Sequence, residues 1–312
     1  MKKIWDVYVY GDVNIDLVVP GVERLPEPGT EVDVPVMETF VGGGAALFAL
    51  GLAKLGLTPV FQGSVGRDMY GTYIRSLFRE LGVDDSLLAD ADDRKTGISI
   101  SFTGERDRCF LTYRGTNEGL SLRHMDLDKL PGARHVHVTG YEGTSNHEEY
   151  FSVLKQIRAI GDVTVSFDVG WDMTGAWYEG IFELLPMIDV LFMNETECLH
   201  YTRCPDVESG ARKLAEKAGM AVIKLGKNGA MAVKNGQVCT APAYPVRVVD
   251  TTGAGDSFNA GFVYGFLRGM PLEDCLKYGN GCGSLSVTKL GGNTGFPMRT
   301  ELEQWLRAHE QN

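Results

Sequence analysis

The chain has 312 residues, 44% of them hydrophobic, enough to bury a sizeable core and better suited to one large α/β domain than to two small ones. Its net charge of −11 argues against general affinity for nucleic acid or an anionic membrane surface. No apolar run reaches the roughly 18 residues of a membrane-spanning helix, and the start, MKKIWDVYVYGD, lacks the apolar stretch and cleavage site of a signal peptide, so a cytoplasmic protein is expected.

Val7–Tyr10 reads as a buried first strand ending at Gly11. Residues 20–35 are rich in proline, glycine and charge, and residues 34–40 (VPVMETF) read as a short strand. Residues 45–55 form a largely buried helix with three glycines at its entry and Gly56 as its stop. A strand over 59–66 and a helix over 70–82 follow. Residues 96–113 alternate in places and turn at Gly104-Glu105, so they read as a β-hairpin.

From residue 135 the order becomes regular. Strands are predicted at 135–139, 163–168, 189–193, 221–225, 230–233 and 237–240, and helices at 147–160, 206–219, 256–268, 272–288 and 300–309. Such alternation implies a mostly parallel central sheet with helices on both faces, and in such sheets ligands bind outside the carboxyl ends of the strands. The two β-rich stretches early in the chain suggest a small sheet standing off the main one. The six cysteines show neither a CxxC pair nor zinc spacing, and most read as buried thiols in a reducing compartment.

Three familiar signatures are absent: GxxxxGK[ST], GxGxxG after the first strand, and GxSxG. Residues 250–256 (DTTGAGD) are more informative. Glycine lets the backbone turn sharply and brings amide groups close to a ligand. The amides of Gly253, Ala254 and Gly255 would lie just ahead of a helix starting near Asp256, where unpaired N–H groups and the positive helix end stabilise an anion. A carboxylate at that point suggests a base acting on a hydroxyl that attacks a phosphoryl group. On this segment alone, an ordinary N-cap aspartate fits equally well.

The stretch DTTGAGDSFNAGF resembles the C-terminal signature of the PfkB, or ribokinase-like, family of carbohydrate and nucleoside kinases. Nearly the full length agrees: VYGDVNIDLVV resembles the opening strand and sugar contact, VGGGAALFALGLAKLG the Gly-Gly signature and its helix, and TGISISFTGERDRCFLTYRG the lid hairpin. NETE resembles the NxxE motif and IKLGKNGAMAV the strand and turn beside the nucleotide. The resemblance implies a ribokinase-like α/β fold, one kinase domain over 1–312 with a small β-sheet lid inserted from about 12–40 and 95–117.

It also implies ATP-dependent transfer of the γ-phosphate to a hydroxyl of a small sugar or sugar derivative, with ATP and Mg²⁺ as cofactors. Asp256 would be the base, and the amides of Gly253, Ala254, Gly255 and Asp256 the anion hole. Asn14 and Asp16, two residues apart on an extended segment, share a face and would hold the sugar, with Gly42 and Gly43 letting it approach the backbone. Lys224, Gly226, Gly229, Thr252 and Asn280 would line the nucleotide side. Asn194 and Glu197 would orient waters on Mg²⁺, although residue chemistry alone reads them as a capped helix start. Asp250 and Thr252 match positions that support a monovalent cation such as K⁺ in some members.

Two departures bear on the substrate. Where members commonly carry a sugar-binding asparagine after the Gly-Gly pair, this chain has Leu47, which makes that side of the pocket less polar. Where members often read Asp-Pro-Asn with a nearby arginine, this chain reads FDVGWD, keeping Asp168 but placing Gly170 and Asp172 after it. A nucleoside kinase of the same fold is the alternative, with Trp171 and Trp177 available to line a pocket if they do not simply pack a loop. A non-catalytic sugar-binding protein would be expected to have broken the GAGD or NxxE motif, and both are intact. His135 and His137 read as packing or substrate-side residues and not as metal ligands, and Arg106 and Arg108 as solvent-facing. The exposed strand edges of the lid hairpin suggest a homodimer formed through it.

Overall fold

The computed structural model describes residues 3–22, 27–103 and 108–310. Its centre is a nine-stranded sheet. In chain order its strands are β1 (Trp5–Tyr10), β4 (Pro59–Gly66), β5 (Asp84–Ala91), β8 (Ala133–Thr139), β9 (Thr164–Asp168), β10 (Val190–Asn194), β11 (Ala221–Lys224), β12 (Ala230–Lys234) and β13 (Gln237–Ala241). Their spatial order is β13-β12-β11-β10-β9-β8-β1-β4-β5. All neighbours run parallel except β11–β12 and β12–β13.

Alternation of side chains along each strand divides the core in two. Val7 and Val9 face one layer with α1 (Gly44–Lys54), α2 (Met69–Leu81), α7 (Ala254–Leu267), α8 (Leu272–Ser286) and α9 (Arg299–Glu310). Tyr8 and Tyr10 face the other, with α3 (His147–Ile160), α4 (Ile181–Leu184), α5 (Glu195–Thr202) and α6 (Val207–Ala215). Because both faces are covered, β10 is apolar up to its last residue: Val190 and Phe192 pack on one side, Leu191 and Met193 on the other.

A second sheet has four strands, ordered β3 (Glu38–Gly42), β2 (Asn14–Pro20), β6 (Gly97–Thr103) and β7 (Arg108–Tyr113). The pair β2–β6 is parallel and the other two are antiparallel. Asn14 lies opposite Gly42 on one side and Gly97 on the other. The expected turn at Gly104-Glu105, with Arg106, lies outside the described residues, as does the side chain of Arg108.

Several expectations need correction. The short strand read at 34–40 begins only at Glu38 and runs on to Gly42, where pairing with β2 fixes it. The helix read from 256 starts at Ala254, so two of the amides placed ahead of it belong to its first turn. The strand β5 was not predicted. Of its eight residues only Leu88 is buried, and two of its acids, Asp85 and Asp90, hold Arg75 of α2. Cysteines are less buried than expected: Cys198, Cys275 and Cys282 are buried, whereas Cys109 is exposed. No helix among the described residues is long and apolar enough to cross a membrane.

Candidate active site

The predicted site residues gather where the carboxyl ends of β9, β10 and β11 meet the first turns of α1 and α7. At α7 the backbone is turned by Gly253, a left-handed N-cap with φ 71°. A side chain at Gly253 would also strike the carbonyl of Gly292, 2.7 Å from the Cβ position, so glycine is required twice over. Asp250 holds the approach: one carboxylate oxygen accepts the amide (2.9 Å) and hydroxyl (2.8 Å) of Thr252, and the other accepts the Gly291 amide (3.0 Å).

Asp256 sits in the first turn of α7 and remains partly exposed. Burial, then the negative charge of Asp168, pushes its carboxyl up to about 8, with Lys224 opposing and Asp12 adding to the rise. Such a group can both take and release a proton near neutrality.

Behind it lies a buried network. Lys224, the last residue of β11, donates to Asp168, the last residue of β9, at 2.7 Å. Asn259 of α7 donates to the same Asp168 oxygen, tying the helix to both strands. The Lys224 ammonium stands beside the helix start, 3.3 Å from where a Cβ on Gly255 would lie. Burial works against both charges, yet the pair holds Asp168 below and Lys224 above its ordinary value. Asn194 and Glu197 form a complete capping box on α5: Asn194 donates its amide and side-chain nitrogen to Glu197, both at 2.7 Å, and accepts the Glu197 amide at 2.8 Å. Burial and then Asp168 push Glu197 up to about 7.

On the opposite wall the entry to α1, Gly42-Gly43-Gly44, has no side chains. Asn14 donates to Asp16 at 2.7 Å, so the two do share a face. The Asp16 carboxylate lies over Gly42, where a Cβ would fall 2.3 Å from it. Gly43 is the N-cap of α1 with φ 94°. A Cβ on Gly44 would sit 3.3 Å from Oδ1 of Asp256 and 4.0 Å from Oδ1 of Asp12, so the glycine floor of one wall touches the carboxylate of the other. Leu47 is buried against Gly253 and Gly292, an apolar backing for this corner.

Beside the α7 start opens a cleft of about 610 Å³, lined by Lys224, Gly226, Gly229, Gly255 and Asn280 among others. Thr252 is not among its lining residues, while its neighbour Thr251 is. The Asn280 side-chain nitrogen is committed to the carbonyls of Ala241 (2.9 Å) and Pro242 (3.1 Å), holding the end of β13 against α8. Among the described residues no group of three or more His, Cys, Asp or Glu side chains is arranged to hold a metal ion.

Residues 6–299 match the sequence family described as pfkB family carbohydrate kinase. The chain belongs to this family. A 5-dehydro-2-deoxygluconokinase of Bacillus subtilis (strain 168) is 29% identical, over 98% of this chain and 97% of its own length. The structure of Arabidopsis thaliana ribokinase complexed with ribose and ATP superposes with a TM-score of 0.83 at 27% identity, covering 98% of this chain and 99% of that one. A ribokinase-II structure from E. coli in complex with ATP and Mg²⁺ superposes with a TM-score of 0.84 at 22% identity, covering 98% and 100%. The protein is therefore a sugar kinase of ribokinase-like fold.

Sequence reasoning passed over three residues of this kinase. Asp12 is assigned no role by the sequence, yet its carboxylate accepts the amides of Gly44 and Ala45, each at 3.1 Å, across 32 and 33 residues. Asn259 reads as helix interior, yet it is wholly buried, and its Oδ1 has no hydrogen-bond partner among the described residues. Asp168 was noted only as a relic of a motif. An unexplained acid directly after the first strand was the one available signal for Asp12. His135 and His137 are buried packing residues: Ser166 bridges their rings at 2.7 Å to each, and His137 stacks on Phe48. Trp177 is buried against His200 and Tyr201, while Trp171 is exposed with its edge on Trp177.

Proposed function

We propose that this sugar kinase moves the γ-phosphoryl group of ATP to a hydroxyl of a small sugar, with Asp256 as the base. The supporting observation is the position of Asp256: it is in the first turn of α7, 3.3 Å from the Cβ position of Gly44 on the facing wall. A sugar lying on the Gly42–Gly44 floor, held by Asn14 and Asp16, presents a hydroxyl to that carboxylate. The hydroxyl proton passes to Asp256 as the oxygen bonds to γ-phosphorus. The bond to the β–γ bridging oxygen breaks, and ADP leaves with that electron pair. The amides of Gly253, Ala254, Gly255 and Asp256 meet the charge that builds on the transferring group, and Lys224, steadied by Asp168, adds a fixed positive charge beside Gly255. Gly226, Gly229 and Asn280 line the cleft for the nucleotide.

Mg²⁺ supplies neutralisation of the phosphate oxygens when bound. Both Glu197 oxygens already accept bonds from Asn194, so this pair suits contact through water and not direct ligation. For the K⁺ expected beside Asp250 and Thr252 we propose a structural role alone, because the Asp250 carboxylate is already bonded to the two loops it joins. The smaller sheet serves as the lid inserted in a single kinase domain, and its edge as a homodimer contact. A nucleoside acceptor is the second reading, favoured by the exposed ring of Trp171 three residues beyond Asp168.

The test is Asp256→Asn. ATP affinity should be retained while turnover falls roughly 10²–10⁴-fold, the usual contribution of a general base. Turnover near the parent level would reject Asp256 as the base.

A further inference from the structure

We infer that the acceptor is an uncharged polyol and that Asp12 is the specificity-determining residue that turns away carboxylated and phosphorylated acceptors. This rests on the kinase reading above and narrows it to a substrate class. The first observation is that the obvious anion site on the acceptor side is already filled. The first amides of an eleven-residue helix attract an anionic group of a ligand. Here the amides of Gly44 and Ala45 are occupied by the two oxygens of Asp12, so a substrate carboxylate or phosphate finds them taken.

The second observation is the charge of the surrounding wall. Asp12 and Asp256 flank the same point above Gly44, and Asp16 covers Gly42. The charges acting on Asp16, those of Asp12 and Asp250, are both negative. An anionic acceptor on this floor meets like charges, whereas hydroxyls donate to carboxylates.

The third observation is independent of both. Of the segments on the acceptor side, 11–22, 38–53, 97–103 and 159–202 contain no lysine or arginine, and the hairpin joining β6 to β7 carries Arg106 and Arg108, which the sequence reads as solvent-facing. The loop after Asp168 supplies Gly170 and Asp172, and Asp172 is spent on the Thr174 and Trp177 amides. Arg114, after β7, is paired with Glu142 at 3.3 Å. Lys224, beside Gly255, lies at the phosphoryl end and is committed to Asp168. The acceptor class inferred here thus differs from the one in the name of the Bacillus subtilis relative.

The experiment is ADP release by the full chain with ATP and Mg²⁺ on three sets of acceptors. They are neutral compounds (D-ribose, D-fructose, adenosine), sugar acids (D-gluconate, 2-dehydro-3-deoxy-D-gluconate, 5-dehydro-2-deoxy-D-gluconate) and fructose 6-phosphate. The best neutral acceptor is expected to exceed the best anionic one at least about tenfold in kcat/KM, roughly the discrimination one site charge supplies. Asp12→Asn keeps an acceptor for the α1 amides but loses the charge, and should narrow that ratio by a similar factor. An anionic acceptor used as well as or better than every neutral one overturns the inference and leaves the kinase reading standing. An unchanged ratio in Asp12→Asn overturns the role of Asp12. No turnover on any compound overturns the inference together with the kinase reading.

Discussion

Three carboxyls of the site, Asp16, Glu197 and Asp256, titrate at about 6, 7 and 8, each raised first by burial. Their ordinary values are 3.8 for the aspartates and 4.5 for the glutamate. Between those values and the raised ones the folded chain binds more protons than the unfolded chain, so its stability decreases as pH rises. The contribution is complete below about pH 4 and disappears through pH 6 to 8. Asp168 runs the other way: its lowered value gives stability above the ordinary carboxylate range that is lost in acid. The ligand-free protein should therefore melt at a lower temperature at pH 8 than at pH 5.5 in calorimetry, and Asp256→Asn should flatten the upper part of that fall. A melting temperature that rises steadily from pH 5.5 to 8 would contradict the assignment. Catalysis needs Asp256 unprotonated, so kcat/KM should climb over the interval in which stability declines. At this scale positions were readable in the sequence where they coincide with a motif: Asp256 at a helix start, and Asn14 and Asp16 on one face. Asp12 was not, because the amides it holds lie on the far side of β2 and β3.

At the scale of elements, the Asp168–Lys224 pair with Asn259 joins β9, β11 and α7 in one contact. Removing one partner of a buried ion pair leaves the other charge unmet, at a cost of about 3–5 kcal/mol. Asp168→Ala should lose that much in urea unfolding, and the double variant Asp168→Ala, Lys224→Met should lose less than the single one. Equal losses would mean that the pair is not what holds these elements together. Legibility again followed burial. The strand at 59–66 and the helix read at 45–55 (Gly44–Lys54 in the structure) emerge from dense apolar runs. The polar edge strand β5 carries no such run and is shaped by pairing with β4, while α4 is apolar but only four residues long, too short to show a helical period. Asn259 and Asp168 are 91 residues apart, a separation that no local pattern encodes.

Across the whole molecule, the smaller sheet has edges at β3 and β7, and on β7 Phe110, Leu111 and Tyr113 are each at least half exposed. Edge strands with apolar side chains invite pairing, which is the basis for the homodimer proposed above. Sedimentation should give twice 34.1 kDa for the parent chain and the single mass for Leu111→Lys. A parent chain that sediments as a monomer at micromolar concentration would dismiss the dimer.

The helix α1 has one further consequence. It begins at the glycine floor, packs Leu47 and Gly51 against Gly292 and Phe296, and ends at Lys54, whose ammonium grips the carbonyls of Asn293 (3.0 Å) and Phe296 (3.1 Å). The loop it carries is the one whose Gly291 is bonded to Asp250, ahead of α7. The helix is thus a strut shared by two half-sites. Displacing its first turn would therefore load the 291–296 loop as well, so the two walls of the cleft are mechanically joined through one rigid element.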